Sequence, residues 1–365
     1  MNGINWSMAV YNPKEAPLRV GVIGVGIGRV HLRGYKLLPN VKVEAICDID
    51  EERGKSAAKE FEVGKFYNDA SKMFADPRID AVSVCVPNDV HATLAVAAVK
   101  AGKHVICEKP IADTLANAQL IATAASEAQE AGKVFMMGMN NRYRGDTQVL
   151  RKFIDGGSLG QIYHAKCGWI RRIGIPGFGG WFTTKHRSGG GPLIDLGVHV
   201  LDLTMYLMGN PVPISASGIT YAKFGPRGQG TWSWGAPADG DTKTFDVEDF
   251  AAGFVKFDNG ATLAIEASWA SHVKQELFYS NLLGTEGGAD LEPLTIYRTE
   301  HGVPIDIKPA FPAINGHEAE IAHFVDCIAT GSTPISTAEQ GLHVLQILDA
   351  IYRSSETGRE VRIDR

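Results

Sequence analysis

The chain of 365 residues has no Cys-x-x-Cys pair, and its five cysteines (Cys47, Cys85, Cys107, Cys167 and Cys327) are odd in number, widely spaced and mostly inside apolar runs. This excludes a disulfide framework and the common zinc motifs, and predicts buried thiols in a reducing compartment. No dense basic run occurs and the formal net charge is -5, which argues against nucleic acid as a partner. No apolar stretch approaches the roughly 20 residues that span a bilayer, so no membrane partner is expected. Residues 1–17 lack a basic segment, a long apolar segment and a small-residue cleavage site, and read as a loose N-terminal arm of a cytoplasmic protein. Repeats and low-complexity tracts are also missing.

What is present begins at Leu18, where an apolar run leads into Gly24-Val-Gly-Ile-Gly28 and then a helix. Glycines at such a turn let backbone approach a pyrophosphate, and the helix N-terminus supplies free N–H donors. Gly24, Gly26, Ile27 and Gly28 are therefore candidate cofactor contacts. The spacing departs from the full G-x-G-x-x-G fingerprint, because Arg29 stands where the third glycine belongs. A second strand (41–47) ends at Asp48, 20 residues beyond Gly28, where a carboxylate can accept from a ribose diol and repel a 2′-phosphate. NAD is thus favoured over NADP, with Arg29 and Arg53 as nearby opposing cations. Strands near 65–67, 81–86, 104–107 and 133–138 alternate with helices, giving a doubly wound parallel sheet of six strands. Ligands in that fold collect at the carboxyl ends of the strands, which draws Pro87, Asn88, Glu108 and Lys109 to the same edge. Lys109 would reach a substrate oxygen there.

Past Asn140 the rhythm changes. A helix (147–155), a strand (161–170) and a glycine-rich stretch (171–191) are followed by strands at 247–257, 261–270 and 275–283, then helices at 318–330 and 338–354. This predicts a dinucleotide-binding domain over 18–140 and a substrate domain over 141–365, the latter a large, open, mainly antiparallel sheet with helices on one side. Its bare face calls for a cover, so a homo-oligomer, dimer or tetramer, is expected. Arg171, Trp181 and Lys185 are candidate substrate contacts on the long loop. The segment 231–241 reads as an inserted loop of unassigned role.

The richest stretch is 189–202. Three glycines and Pro192 predict a helix start, followed by an apolar stripe of Leu196, Val200, Leu203 and Leu207 and a polar row of Asp195, His199, Asp202 and Tyr206. Asp195 and His199 fall one turn apart, and a carboxylate beside an imidazole makes a positioned proton acceptor. The pair also has ligand spacing, but no Cys-rich or His-rich motif accompanies it and no metal is expected.

Pro87-Asn88 with His91, Ala-Gly-Lys-His-Val-Ile-Cys-Glu-Lys-Pro ending at Pro110, and Gly-Gly-Gly-Pro-Leu-Ile-Asp-Leu-Gly-Val-His ending at His199 together resemble the Gfo/Idh/MocA oxidoreductases. The likeness runs from Leu18 to Ile363. It implies NAD-dependent oxidation or reduction at one carbon of a sugar, glycoside or cyclitol, with Lys109, Asp195 and His199 as the catalytic group and a cis Lys109-Pro110 bond. Asn141 and Arg142 occupy the region where relatives touch substrate. Two other activities occur on this scaffold: glycoside cleavage through transient oxidation, and cofactor binding without catalysis.

Overall fold

The computed structural model describes residues 17–231 and 245–364, so the arm and most of the 231–241 loop lie outside the described residues. The chain forms two compact units.

The first unit takes in the chain up to Ala112, Ala116–Arg144 and Ile314–Leu342. Its sheet holds β1 (Leu18–Ile23), β2 (Val41–Cys47), β3 (Phe66–Tyr67), β4 (Ala81–Val84), β5 (His104–Glu108) and β6 (Phe135–Gly138), in the order β3-β2-β1-β4-β5-β6. Every neighbouring pair is parallel. The order reverses beside β1, the usual place for a ligand crevice at the strands' carboxyl ends. Val20, Val22, Ile46, Ala81 and Ile106 are buried on this sheet, as two-sided burial of parallel strands requires. Helix Gly316–Thr330 packs here as well: a Cβ at Gly34 would lie 3.1 Å from Ile321.

His104, at the start of β5, accepts from Val134 N–H through Nδ1 at 2.9 Å, which only an unprotonated nitrogen can do. Burial and the nearby Lys133 charge push its pKa down to about 4. The unfolded chain takes up this proton near pH ~6.5, so the stabilisation is present above that pH and is lost as pH falls toward ~4. For a partly exposed group we expect ~1–2 kcal/mol. Urea midpoints at pH 7 and pH 4.5 should show this loss in the wild type, and the difference should shrink in His104→Asn, whose amide oxygen accepts at both pH values.

The second unit takes in Asp113–Leu115, Gly145–Ala313 and His343–Arg365. Its nine strands are β7 (Ile162–Ile170), β8 (Pro213–Tyr221), β9 (Phe250–Phe257), β10 (Thr262–Ser268), β11 (Leu277–Gly284), β12 (Gly288–Leu291), β13 (Leu294–Glu300), β14 (Val303–Ile307) and β15 (Val361–Arg362). The order is β14-β13-β12-β11-β7-β10-β9-β8-β15, and only β7 and β10 pair in parallel. The β9–β10 hairpin is as expected from the sequence, while β8 and the meander β12–β14 go beyond that expectation. One sheet face lies under helices: a Cβ at Gly218 or Gly253 would come within 2.6 Å of Ile351. On the other face Ile219, Phe254, Leu283 and Tyr297 are exposed.

Candidate active site

In the first unit the expected cofactor residues share one sheet edge. Gly24 follows β1, Asp48 follows β2, Pro87 and Asn88 follow β4, and Glu108 and Lys109 close β5. Gly24 has φ +81°, and a Cβ there would lie 2.2 Å from Cys85 O. A Cβ at Gly26 would meet nothing within 4 Å, so backbone faces open space at the centre of the turn, beside Ile27. A Cβ at Gly28 would lie 2.9 Å from Val22 Cγ1. Gly28 thus does the close helix-to-strand packing that the third fingerprint glycine does elsewhere, one residue early. The cradle fits a pyrophosphate at a helix N-terminus.

Asp48 accepts from Val25 N–H (3.0 Å), Asp50 N–H (2.9 Å) and the Arg53 guanidinium (2.6 and 3.1 Å). Burial pushes its carboxyl up, but Arg53 and the two backbone donors outweigh that and hold it below the usual carboxylate range. The side chain is charged at neutral pH, the state a ribose diol needs.

The turn at Lys109 is anchored on both sides. Its N–H donates to Glu108 Oε2 at 3.3 Å, and the Lys109-Pro110 peptide is cis, as the resemblance implied. His91, fully buried, puts its ring nitrogens 2.8 Å from Pro110 O and 2.9 Å from Val86 O, tying the β4 turn to the β5 turn. Glu108 Oε1 meets His31 Nε2 at 2.8 Å, and His31 Nδ1 meets Ser83 Oγ at 3.1 Å. Burial would raise the Glu108 carboxyl, and the His31 contact brings it below its ordinary value. His31, Glu108 and Glu320 bring possible ligand atoms within 4.8 Å of one another, yet both His31 ring nitrogens already hold hydrogen-bond partners.

Arg142, expected at substrate, is 1% exposed and donates to Ile335 O and to Gln340 Oε1 (2.6 Å), which makes it a brace inside the first unit. Asn141 lies on the short 3-10 turn Asn140–Tyr143 and is half-buried.

In the second unit the helix start differs from expectation. Leu193–Gly197 form a π turn that continues into the α-helix Val198–Leu207. Such turns recur at functional sites because they re-aim side chains. The stripe of Leu196, Val200, Leu203 and Leu207 is buried as expected, and Asp202 is buried with it. Asp195 Oδ2 accepts from the indole N–H of Trp269 at 2.9 Å, and Trp269 is itself fully buried. His199 faces the Trp169 ring at 5.8 Å between centroids. Arg171 stacks over the same indole at 4.7 Å, and Glu276 accepts from Trp169 Nε1 (2.5 Å) and Arg171 Nε (3.3 Å). Arg171 therefore stands in the neighbourhood of His199. Trp181 stacks on Phe182 at 3.8 Å, and the half-exposed Lys185 ammonium lies 3.8 Å from Glu356. No local pattern in the sequence signals the contacts of Trp169 with His199 and Glu276, of Glu248 with Gly191 or of Trp269 with Asp195, which join residues 30 or more apart along the chain.

Two family descriptions match the chain: "Oxidoreductase family, NAD-binding Rossmann fold" over residues 18–139 and "Oxidoreductase family, C-terminal alpha/beta domain" over residues 151–363. D-glucoside 3-dehydrogenase of Escherichia coli (strain K12) is 34% identical over 96% of this chain and 98% of its own. The scyllo-inositol 2-dehydrogenase (NAD(+)) of Bacillus subtilis (strain 168) is 28% identical over 96% of this chain and 97% of its own. A levoglucosan dehydrogenase solved with NADH and levoglucosan shares the fold, with a TM-score of 0.82 at 24% identity over 96% of this chain and 100% of that one. With both halves matched and a relative at this identity across nearly its whole length, the chain belongs to the Gfo/Idh/MocA oxidoreductase family.

Proposed function

We propose that this protein is an NAD-dependent dehydrogenase that interconverts a secondary hydroxyl and a ketone on a sugar, glycoside or cyclitol. The observation that carries the reading is the Asp195 carboxylate, held by the Trp269 indole N–H on the helix that presents His199. NAD, when bound, supplies the hydride acceptor. Gly24, Gly26, Ile27 and Gly28 bind the pyrophosphate, and Asp48 the ribose, with Pro87, Asn88 and Glu108 along the same edge. His199 takes the hydroxyl proton at an imidazole nitrogen, and Asp195 orients the ring and stabilises the imidazolium. Lys109 donates a hydrogen bond to the oxygen as its charge develops. Arg171 binds outlying substrate hydroxyls, while Trp181, Lys185 and Asn141 contribute to substrate selection from their loops.

D-glucosides oxidised at carbon 3 are the first substrates to try, on the strength of the Escherichia coli relative. Reduced-nicotinamide absorbance with a panel of free sugars, inositols and glycosides tests the reading: NADH growth with one class supports it. Sugar consumption without net NADH would replace it with cleavage through transient oxidation, and NAD binding without turnover with a non-catalytic role.

Asp48→Ala should lower kcat/KM for NAD by about tenfold or more, through loss of a charge-assisted hydrogen bond worth about 1.5–3 kcal/mol. The same change leaves Arg53 without its carboxylate, so NADP use should rise. Unaltered cofactor preference would remove Asp48 from the ribose site.

Among the described residues no helix is long and apolar enough to cross a membrane. The reading places the enzyme in the cytoplasm as a homo-oligomer, a dimer or a tetramer. The sheet face with exposed Ile219, Phe254, Leu283 and Tyr297 supports self-association. Light scattering at micromolar concentration should return a multiple of 39.3 kDa, and a monomer mass would refute the oligomer.

A further inference from the structure

Glu248 precedes β9 by two residues and is buried, and its carboxylate gathers donors from two distant segments. Gly191 N–H donates to Oε2 at 2.9 Å, Leu193 N–H to Oε1 at 3.1 Å and Tyr352 O–H to Oε1 at 2.8 Å. Both oxygens act as acceptors, and these donors oppose the burial that pushes the carboxyl's pKa up. Tyr352 is pushed well above its ordinary value by burial and by Glu248, so it stays a phenol and donates.

The last two of the three entry glycines follow from this contact. A Cβ at Gly191 would lie 2.1 Å from Glu248 O and 3.0 Å from its Cδ, and a Cβ at Gly190 would lie 2.1 Å from the Tyr352 hydroxyl. The glycines allow close approach of a buried carboxyl and its phenol, so their use here is packing and not flexibility. The first N–H groups of a helix have no partner within it, and a negative charge at that end also meets the positive end of the helix dipole. Glu248 meets the first need with its two oxygens. Asp195 lies two residues after Leu193, within the π turn that starts there.

We infer that Glu248 is a positioning residue: through Gly191 and Leu193 it fixes the start of the helix that carries Asp195 and His199, with Tyr352 holding it in place. Its role is to act through the helix start and not on the reacting atoms. The inference rests on Asp195 and His199 being the catalytic pair. A helix start released from Glu248 lets Asp195 drift from Trp269, and a displacement of about 1 Å at such a pair costs about 100-fold in rate.

The test uses Glu248→Gln and Tyr352→Phe in the full chain. Glutamine keeps the shape but turns one acceptor into an N–H donor facing another donor. Expected is a fall in kcat of about 10- to 100-fold for Glu248→Gln and about tenfold for Tyr352→Phe. The sugar KM and the NADH Kd should stay within about twofold, since uniform binding is untouched. The Trp269 indole N–H resonance should also move, reporting a displaced Asp195. Variants that lose thermal stability but keep wild-type kcat and an unmoved Trp269 resonance overturn the inference. If Glu248→Gln does not fold, Tyr352→Phe, which deletes a single oxygen, decides by the same readouts. His199→Ala run alongside separates the two ideas: retained turnover there would sink the catalytic reading, while the Trp269 resonance still decides the role of Glu248.

Discussion

His199→Ala should lower kcat by about 10²- to 10⁴-fold, the usual loss when a general base is removed, and should leave NADH binding where it was. The first half follows from chemistry: a secondary hydroxyl gives up its proton reluctantly, and hydride departure stalls unless a neighbouring base takes that proton in the transition state. The second half follows from the division of labour, because the pyrophosphate and ribose are assigned to other residues, Gly24 to Gly28 and Asp48, which the substitution leaves intact. Stopped-flow NADH release and equilibrium NADH titration separate the two quantities. His199→Asn, similar in size and polar but unable to accept a proton at neutral pH, should be as slow as the alanine variant. Near-wild-type turnover in His199→Ala would remove His199 from the proton-transfer role. A loss confined to KM would make it a ground-state contact.

Much of this arrangement is legible in sequence where the controlling interactions are local. An apolar run meeting glycines and then an amphipathic segment marks a strand, turn and helix because each signal lies within a few residues. The positions of Asp48 and Lys109, each next to the end of its strand, are legible the same way. The altered glycine spacing was misleading only as a pattern. The requirement is that no side chain stand between the helix and Val22, and Gly28 meets it. What stayed hidden depends on partners far along the chain. Trp269 reaches Asp195 across 74 residues, and Glu248 reaches Gly191 across 57. Nothing near Leu193 signals a π turn, because the turn answers tertiary anchoring and not helix propensity. Arg142 shows the converse. A polar residue in a promising neighbourhood reads as a ligand contact until its buried partners Ile335 and Gln340 appear, almost 200 residues on.

Lys109→Met keeps the length and most of the apolar stem while deleting the charge, and is expected to lower kcat by about 10²- to 10³-fold, as loss of one donor to a developing oxyanion does. The main chain around Lys109 is held on both sides: Glu108, gripped by His31, accepts from the Lys109 N–H, and the Pro110 carbonyl meets His91. A residue so anchored loses little freedom when it meets a substrate oxygen, which is the condition for a strong electrostatic effect. Lys109→Arg should restore little, since a planar guanidinium on a longer stem cannot place one donor where the compact ammonium was. NADH affinity within about threefold of wild type would show that the cradle survives, and tie the rate loss to the oxygen contact. An equal rise in the sugar KM with unchanged kcat would instead assign Lys109 to uniform substrate binding, leaving His199 and Asp195 to carry the transition state without it.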